Sequence, residues 1–524
     1  MKFRNVFAAL LVLVGLLPSA PSALGFALLG PFAPWMEETN DLRQLGDIGG
    51  PMEIGSGYRW NVPIVTYGFD QSFLDYFGTN GVAAVEGAIL VLNDLPPASQ
   101  IVPTSYPFNT QHFNYLAQDQ SLCDLKSITL SLLLEQMGLA APSRYVFAIK
   151  QMSPIFFEYP YQSTWPDGTI PNFIVQRSFD PLTLNPSFYV NGILYTGEVY
   201  SDEYSGLNYM FVYFADPLAL AGGSVADVNT FYTPGSYYTT LTYDDVGGLR
   251  YLLSADKVNY EKLSPDVRTS GSHRNGTGDG AWRPGVEKIT FVRQPTDRRS
   301  GKFRPFHYRF TDAYLKNGVL MQQRAEREIR RPDFLFCVAD TGENNPITPW
   351  FIRTGTTNWL NDAALNGNTN GEGPGVIQSP IKITFHKLGP IVITGDTGYP
   401  GSQPHINTQS WGSFDSSTNP PVVYPVLAGG DTSFTIRLLF WIPSYTNSIV
   451  ANNGYTTLLT NCIWHLSVPI GGQALLQIST NQIDWASVAT TTNAGAVTEW
   501  YYFGTVNPPK YFRVIPQSVP EPNH

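Results

Sequence analysis

Residues 131–141 read SLLLEQMGLAA, preceded by DLKSITL at 124–130, and the architecture of the N-terminal half turns on this stretch. Asp124 can cap a helix, and Leu125, Ile128, Leu132, Leu133 and Met137 give it a broad apolar face. Gly138 can take the left-handed position that ends it, with Leu139 folding back as the hydrophobic contact. The spacing predicts a helix that ends at Met137.

Upstream, RWNVPIVTYGFD (59–70) is rich in β-branched and aromatic residues and predicts a strand. NGVAAVEGAILVLNDLPP (80–97) predicts a helix capped by Asn80, with Val82, Val85, Ile89 and Leu92 on one face and a double proline as its stop. Downstream, LTYDDVGGLRYLLS (241–254) predicts another helix, because Thr242 and Asp245 have capping-box spacing. The segment between, rich in Tyr, Pro and Asp, predicts hairpins and long loops. Strand followed by amphipathic helix gives an α/β arrangement for residues 26–263.

The order of these parts resembles matrixin-type metzincin peptidases, through RWNVPIVTYGFD, the helix to Asn93, LLEQMGL and YDDVGGLRYLL. The resemblance implies a frame in which HExxHxxGxxH would occupy the 131–141 stretch. With Gly138 on the motif glycine, Ser131, Glu135 and Ala141 stand where the three zinc histidines belong, and Leu132 replaces the general base. That chemistry needs imidazoles at i and i+4 on one helix face and a carboxylate to take a proton from metal-bound water. Ser, Glu and Ala cannot supply it, so the resemblance implies a disarmed site, no zinc and no other cofactor. The seven histidines are scattered, with no pair at ligand spacing. Glu135 is then either an exposed helix charge, a partner for a nearby cation, or a surviving functional acid. Asp244 and Asp245 are expected to cap and complement a helix N-terminus.

Bulk properties bound the rest. A chain of 524 residues exceeds one hydrophobic core. A net charge of −10 argues against nucleic-acid binding. Basic residues concentrate between Arg283 and Arg331, including Arg298, Arg299, Lys302, Arg304, Arg324, Arg327, Arg330 and Arg331, a run expected to form a solvated face. Lys2 and Arg4, the run VFAALLVLVGLL and the small residues of PSAPSALGFA predict a secretory signal peptide cut near Gly25 or just before it. No later stretch is long and apolar enough to span a bilayer. The expected location is therefore secreted: periplasmic, cell-surface or extracellular. Cys123, Cys337 and Cys462 allow one disulfide at most.

The fold class expected is α+β and multidomain: signal peptide 1–25, α/β domain 26–263, linker 264–285, β-rich region 286–424, C-terminal β-sandwich 425–518 and tail 519–524. The overall organisation resembles that of large secreted proteins of Gram-negative-type bacteria. Two functions fit. One is a non-catalytic binding or structural protein whose partner is an extracellular polypeptide or polysaccharide. The other is a hydrolase whose site is assembled from distant carboxylates, with Glu135, Asp202 and Glu203 as candidates and Glu158 nearby in FFEYPYQSTW. Trp485, Trp500, Tyr501 and Tyr502 are candidate binding residues in the C-terminal region, where packing competes as an explanation.

Overall fold

The computed structural model describes most of residues 24–424, leaving out 37–46, 152–171, 202–207, 270–279, 340–358, 361–375, 395–404 and shorter pieces. Beyond 424 it describes the backbone of six strands, at 434–440, 460–466, 473–479, 486–492, 498–504 and 511–517.

Strand β1 (Phe26–Gly30) is apolar and buried along its length. It pairs antiparallel with Gly50–Pro51, Leu139–Ala140 and Ser178–Phe179. Strand β2 (Ile64–Phe69) leads directly into α1 (Gln71–Asn93). Asp70 caps this helix by accepting from the Ser72 amide at 3.0 Å and the Ser72 hydroxyl at 2.7 Å. The helix therefore starts well before Asn80. Gly78, at φ +61°, kinks it close to where Asn80 was expected to begin it. Val85, Ile89 and Leu92 are buried as the helical spacing required.

Helix α2 (Leu125–Met137) matches the expected ends. Asp124 accepts from the Ser127 amide at 2.9 Å and its hydroxyl at 2.5 Å, and Gly138 sits at φ +105°. A Cβ on Gly138 would collide with the Tyr58 carbonyl oxygen. The helix is not half-exposed, as a single apolar face would suggest. Every residue except Lys126 is buried, because α2 packs against α1, the 225–227 turn and the strands Ser236–Tyr238 and Ser410–Ser413.

Strands β3 (Ile193–Ser201) and β4 (Asn208–Phe214) form a hairpin, followed by α3 (Tyr243–Leu253), which carries the expected capping box. Then come β5 (Thr290–Arg293), β6 (Phe306–Lys316), β7 (Val319–Ile329), β8 (Phe334–Ala339) and β9 (Ile381–His386). The central sheet is all parallel in the order β5-β2-β8-β9 and so draws strands from both sides of residues 264–285. Parallel strands covered on both faces read as continuous apolar runs, which explains FLFCVA in β8. Phe69, Phe73, Phe77, Phe336 and Phe385 join β2, α1, β8 and β9 in one aromatic cluster.

The long hairpin β6–β7 turns on Asn317 and Gly318, both at positive φ as a two-residue hairpin demands. Its base is fixed to the central sheet by Arg327. That guanidinium meets Asp333 at 2.5 and 3.0 Å and Asp266 at 2.9 Å, with Arg327 and Asp333 fully buried. The basic run therefore divides. Arg327 and Arg283, the latter paired with Asp312 at 2.8 Å, are buried ion-pair members rather than part of a solvated face. Arg304 and Arg330 remain exposed.

After residue 424, five antiparallel or parallel pairings join 391–394 and 405–407 with 434–440, 511–517, 473–479 and 486–492 in one sheet, while 460–466 pairs with 498–504 separately. Among the described residues no helix is long and apolar enough to cross a membrane.

Removing one partner of a buried pair strands the other charge, so Arg327→Met should cost about 3–5 kcal/mol. Adding Asp333→Asn should recover part of that loss. Urea unfolding of the two variants checks this; a cost below about 1 kcal/mol for the single variant contradicts the assignment.

Candidate functional site

At the positions where a zinc site would stand, α2 is packed. Ser131 donates to the Ala226 carbonyl at 3.4 Å, Leu132 is in the core, and Ala141 is buried. Trp60 Nε1 donates to the Gln136 carbonyl at 3.1 Å and the Leu29 amide to the Gly138 carbonyl at 2.9 Å, closing the C-terminal end of the helix. Glu135 is buried, not an exposed charge. It belongs to the surroundings of Arg144, which binds Asp47 through two bonds of 2.9 and 2.8 Å. Burial pulls the Arg144 guanidinium down, but Tyr145, Asp47 and Glu135 outweigh it and raise it overall. Glu135 thus acts on Arg144 through its charge.

A second set of carboxylates gathers around the N-terminus of α3. Asp245 accepts from the amides of Thr242 (2.9 Å), Val225 (2.9 Å) and Ala226 (3.0 Å), and from the hydroxyls of Thr242 and Ser224. It caps its own helix and also holds the 224–226 turn against α2. Asp227, in that turn, accepts from the Ser143 amide at 3.1 Å and its hydroxyl at 2.6 Å. Its other oxygen has no partner, and burial pushes the group up to about 7 despite the Ser143 bonds. Burial likewise raises Asp124 to about 6 and Asp244 well above the usual range. Perturbed acids often mark catalytic sites, yet these are sealed at 4% exposure or less. They lie out of contact with solvent, and their hydrogen bonds organise backbone. Among the described residues no group of three or more His, Cys, Asp or Glu side chains could hold a metal ion.

Among the described residues, the β3–β4 hairpin presents an exposed aromatic surface. One face packs Tyr195, Val212 and Phe214 on Val146 and Val190. Pairing of Thr196 with Tyr213, Glu198 with Phe211 and Tyr200 with Tyr209 sends alternate residues to the opposite face. There Tyr200, Phe211 and Tyr213 are 57%, 46% and 47% exposed. Phe211 and Tyr213 lie 6.3 Å apart with planes only 16° off parallel, and Tyr200 stands edge-on to Phe211 at 6.2 Å. β4 is an edge: among the described residues it pairs on one side only. Its sequence, NYMFVYF, has no charge and no proline, the usual guards of an exposed strand edge.

Asp202 and Glu203 lie in the connection from β3 to β4, and they, Glu158 and Trp485 fall outside the described residues. The same holds for residues 1–23. Trp500, Tyr501 and Tyr502 are on the strand 498–504, whose backbone pairs with Trp464, Ile463 and Cys462; their side chains are outside the description. The exposed aromatic row at 200, 211 and 213 is not among the candidate residues read from the sequence, although the alternation in NYMFVYF carried it. Comparison with protein-family models, curated proteins and solved structures gives no match.

Asp227 yields a pH test. A carboxyl raised from an ordinary value of about 3.9 to about 7 is protonated more in the folded than in the unfolded chain between those values. Its contribution to stability is therefore present below about pH 4 and falls as pH rises towards 7. Relative to Asp227→Asn, the wild type should lose on the order of 3–4 kcal/mol across that window. Urea midpoints at a series of pH values give the comparison; parallel curves for the two proteins contradict it.

Proposed function

We propose that the chain is an exported, non-catalytic binding or structural protein of the cell surface or extracellular space. In this reading residues 26–263 carry a metzincin-like frame without its zinc chemistry, and the two C-terminal sheets are the layers of a β-sandwich. The core packing of Ser131, Glu135 and Ala141 supports loss of the peptidase site. The sealed state of the perturbed carboxylates supports a non-catalytic role over a hydrolase.

The observation that carries the binding role is the unguarded aromatic edge of β4. An extended polypeptide could add to it as a further strand, using main-chain hydrogen bonds for affinity. Tyr200, Phe211 and Tyr213 would then contact alternate side chains of the ligand. An exposed apolar face of this kind is a cost to solubility unless something uses it.

Reduced, carboxymethylated α-lactalbumin is a suitable extended probe. The protein should bind it without cutting it, and Phe211→Lys with Tyr213→Lys should weaken binding about tenfold or more, a loss of at least about 1.4 kcal/mol. Fluorescence anisotropy reads the binding and gel electrophoresis the integrity of the probe. Cleavage of the probe would restore the hydrolase. Binding to a soluble glucan and not to the polypeptide would move the partner to polysaccharide.

A further inference from the structure

The turn end of the β6–β7 hairpin is sorted along its length. Leu315 pairs with Leu320, Ala313 with Gln322, Thr311 with Arg324 and Arg309 with Glu326. Paired residues point to one side of a sheet, as do residues two apart. One face therefore runs from leucines at the turn, through a neutral step, to arginines. Trp282, on the strand Ala281–Arg283, is in register with Leu315, and Tyr260, on Asn259–Glu261, with Trp282. Tyr260, Trp282, Leu315 and Leu320 thus form one row across the sheet, the two aromatic rings edge-on at 5.7 Å. Trp282 and Leu320 are 54% and 56% exposed. The opposite face of the tip is apolar as well, with Val319 and Met321 61% and 41% exposed.

Behind the apolar row, Arg309, Phe310, Thr311, Gln322, Gln323 and Arg324 line an open cleft of about 320 Å³. Arg309 meets Glu326 at 3.5 Å with both side chains exposed, while Arg324 stands opposite Thr311 with no carboxylate partner among the described residues. Lys316, at the turn, is exposed. Arg324 lies four residues from Leu320, about 13 Å along a strand. Two features select the occupant. Val319 and Leu320 are consecutive and point to opposite sides, so a protein docked on one face would leave the other in water, whereas a medium that surrounds the tip covers both. Cations set back from an apolar end match the order of a lipid surface, with acyl chains first and phosphates behind them. We propose that Val319, Leu320 and Met321, with Leu315 and Trp282, enter an anionic lipid surface while Lys316, Arg324 and Arg309 engage its headgroup phosphates. Tryptophan and tyrosine suit that boundary, having an apolar ring and a polar edge. Insertion stops at the interface, because an open strand edge is not tolerated in the hydrocarbon.

The full chain is mixed with vesicles of equal parts phosphatidylcholine and phosphatidylglycerol, and retention is read by co-flotation. Hydroxyl-radical footprinting reads the tip itself, through oxidation of Met321 in the tryptic peptide 317–324. The vesicles should retain the protein and slow that oxidation several-fold, and phosphatidylcholine alone should do so much less. Val319→Glu with Leu320→Glu should weaken retention at least about tenfold, and Arg324→Gln about fivefold. Urea midpoints check that these exposed positions leave folding unchanged; where they do not, the footprint of the wild type decides. Retention with Met321 still oxidised at its solution rate overturns the proposal, since the apolar run at 6–17 would then account for the binding. Protection that appears on raising protein concentration without vesicles makes the tip an interface between copies and also overturns it. Equal protection on phosphatidylcholine contradicts the role given to the cations. Phe211→Ser with Tyr213→Ser should leave retention unchanged, which separates the lipid contact from the polypeptide edge of β4; loss of retention there moves the contact to that edge and overturns the tip.

Discussion

The buried carboxylate of Asp333 holds the largest part of the fold together. It accepts from the Thr66 amide at 2.8 Å, which fixes β8 beside β2, and it binds Arg327 at the end of the long hairpin. Its own backbone closes the arrangement, with its amide donating to the Thr66 hydroxyl at 3.1 Å and its carbonyl accepting from the Ile381 amide at 2.7 Å. One residue therefore sets the relation of β2, β7, β8 and β9. Two charges buried together are costly to desolvate, and fixed neighbours on every side offset that cost. This pair gives the sheet its register where apolar strands alone would slide.

The same device recurs in the N-terminal half. Asp245 joins α3 to the turn that supports α2, and Asp227 joins that turn to Ser143. Both acids are buried as a catalytic constellation can be, and burial raises Asp227, yet neither has access to solvent. Geometry and exposure separate structural from functional carboxylates here, and ionisation alone would not. One feature among the described residues that faces solvent is the aromatic row of the β3–β4 hairpin.

Local signals were legible in the sequence. Asp124, Gly138, Thr242 and Asp245 sit where their capping chemistry placed them, because a cap depends on residues within one helical turn. The start of α1 was misread: Asn80 looked like a cap, but Asp70 with Ser72 made one earlier and Gly78 only bent the helix. The parallel sheet was out of reach. Nothing near Thr66 announces Asp333 or Thr290, since parallel neighbours are brought together by tertiary packing over long separations. Glu135 was likewise uncertain, because a helix buried on all sides has no polar face against which a charge can be phased. The basic run misled for a related reason: composition does not distinguish Arg327, inside an ion pair, from Arg330 beside it on the surface.

In the proposed reading, the SLLLEQM segment belongs to a structural helix buried on all sides, and the chain holds no metal there. Elemental mass spectrometry of the purified, dialysed protein addresses it directly. No transition metal should remain in stoichiometric amount, before or after equilibration with zinc and a second dialysis. About one tightly held zinc per chain would contradict the claim and require ligands outside α2.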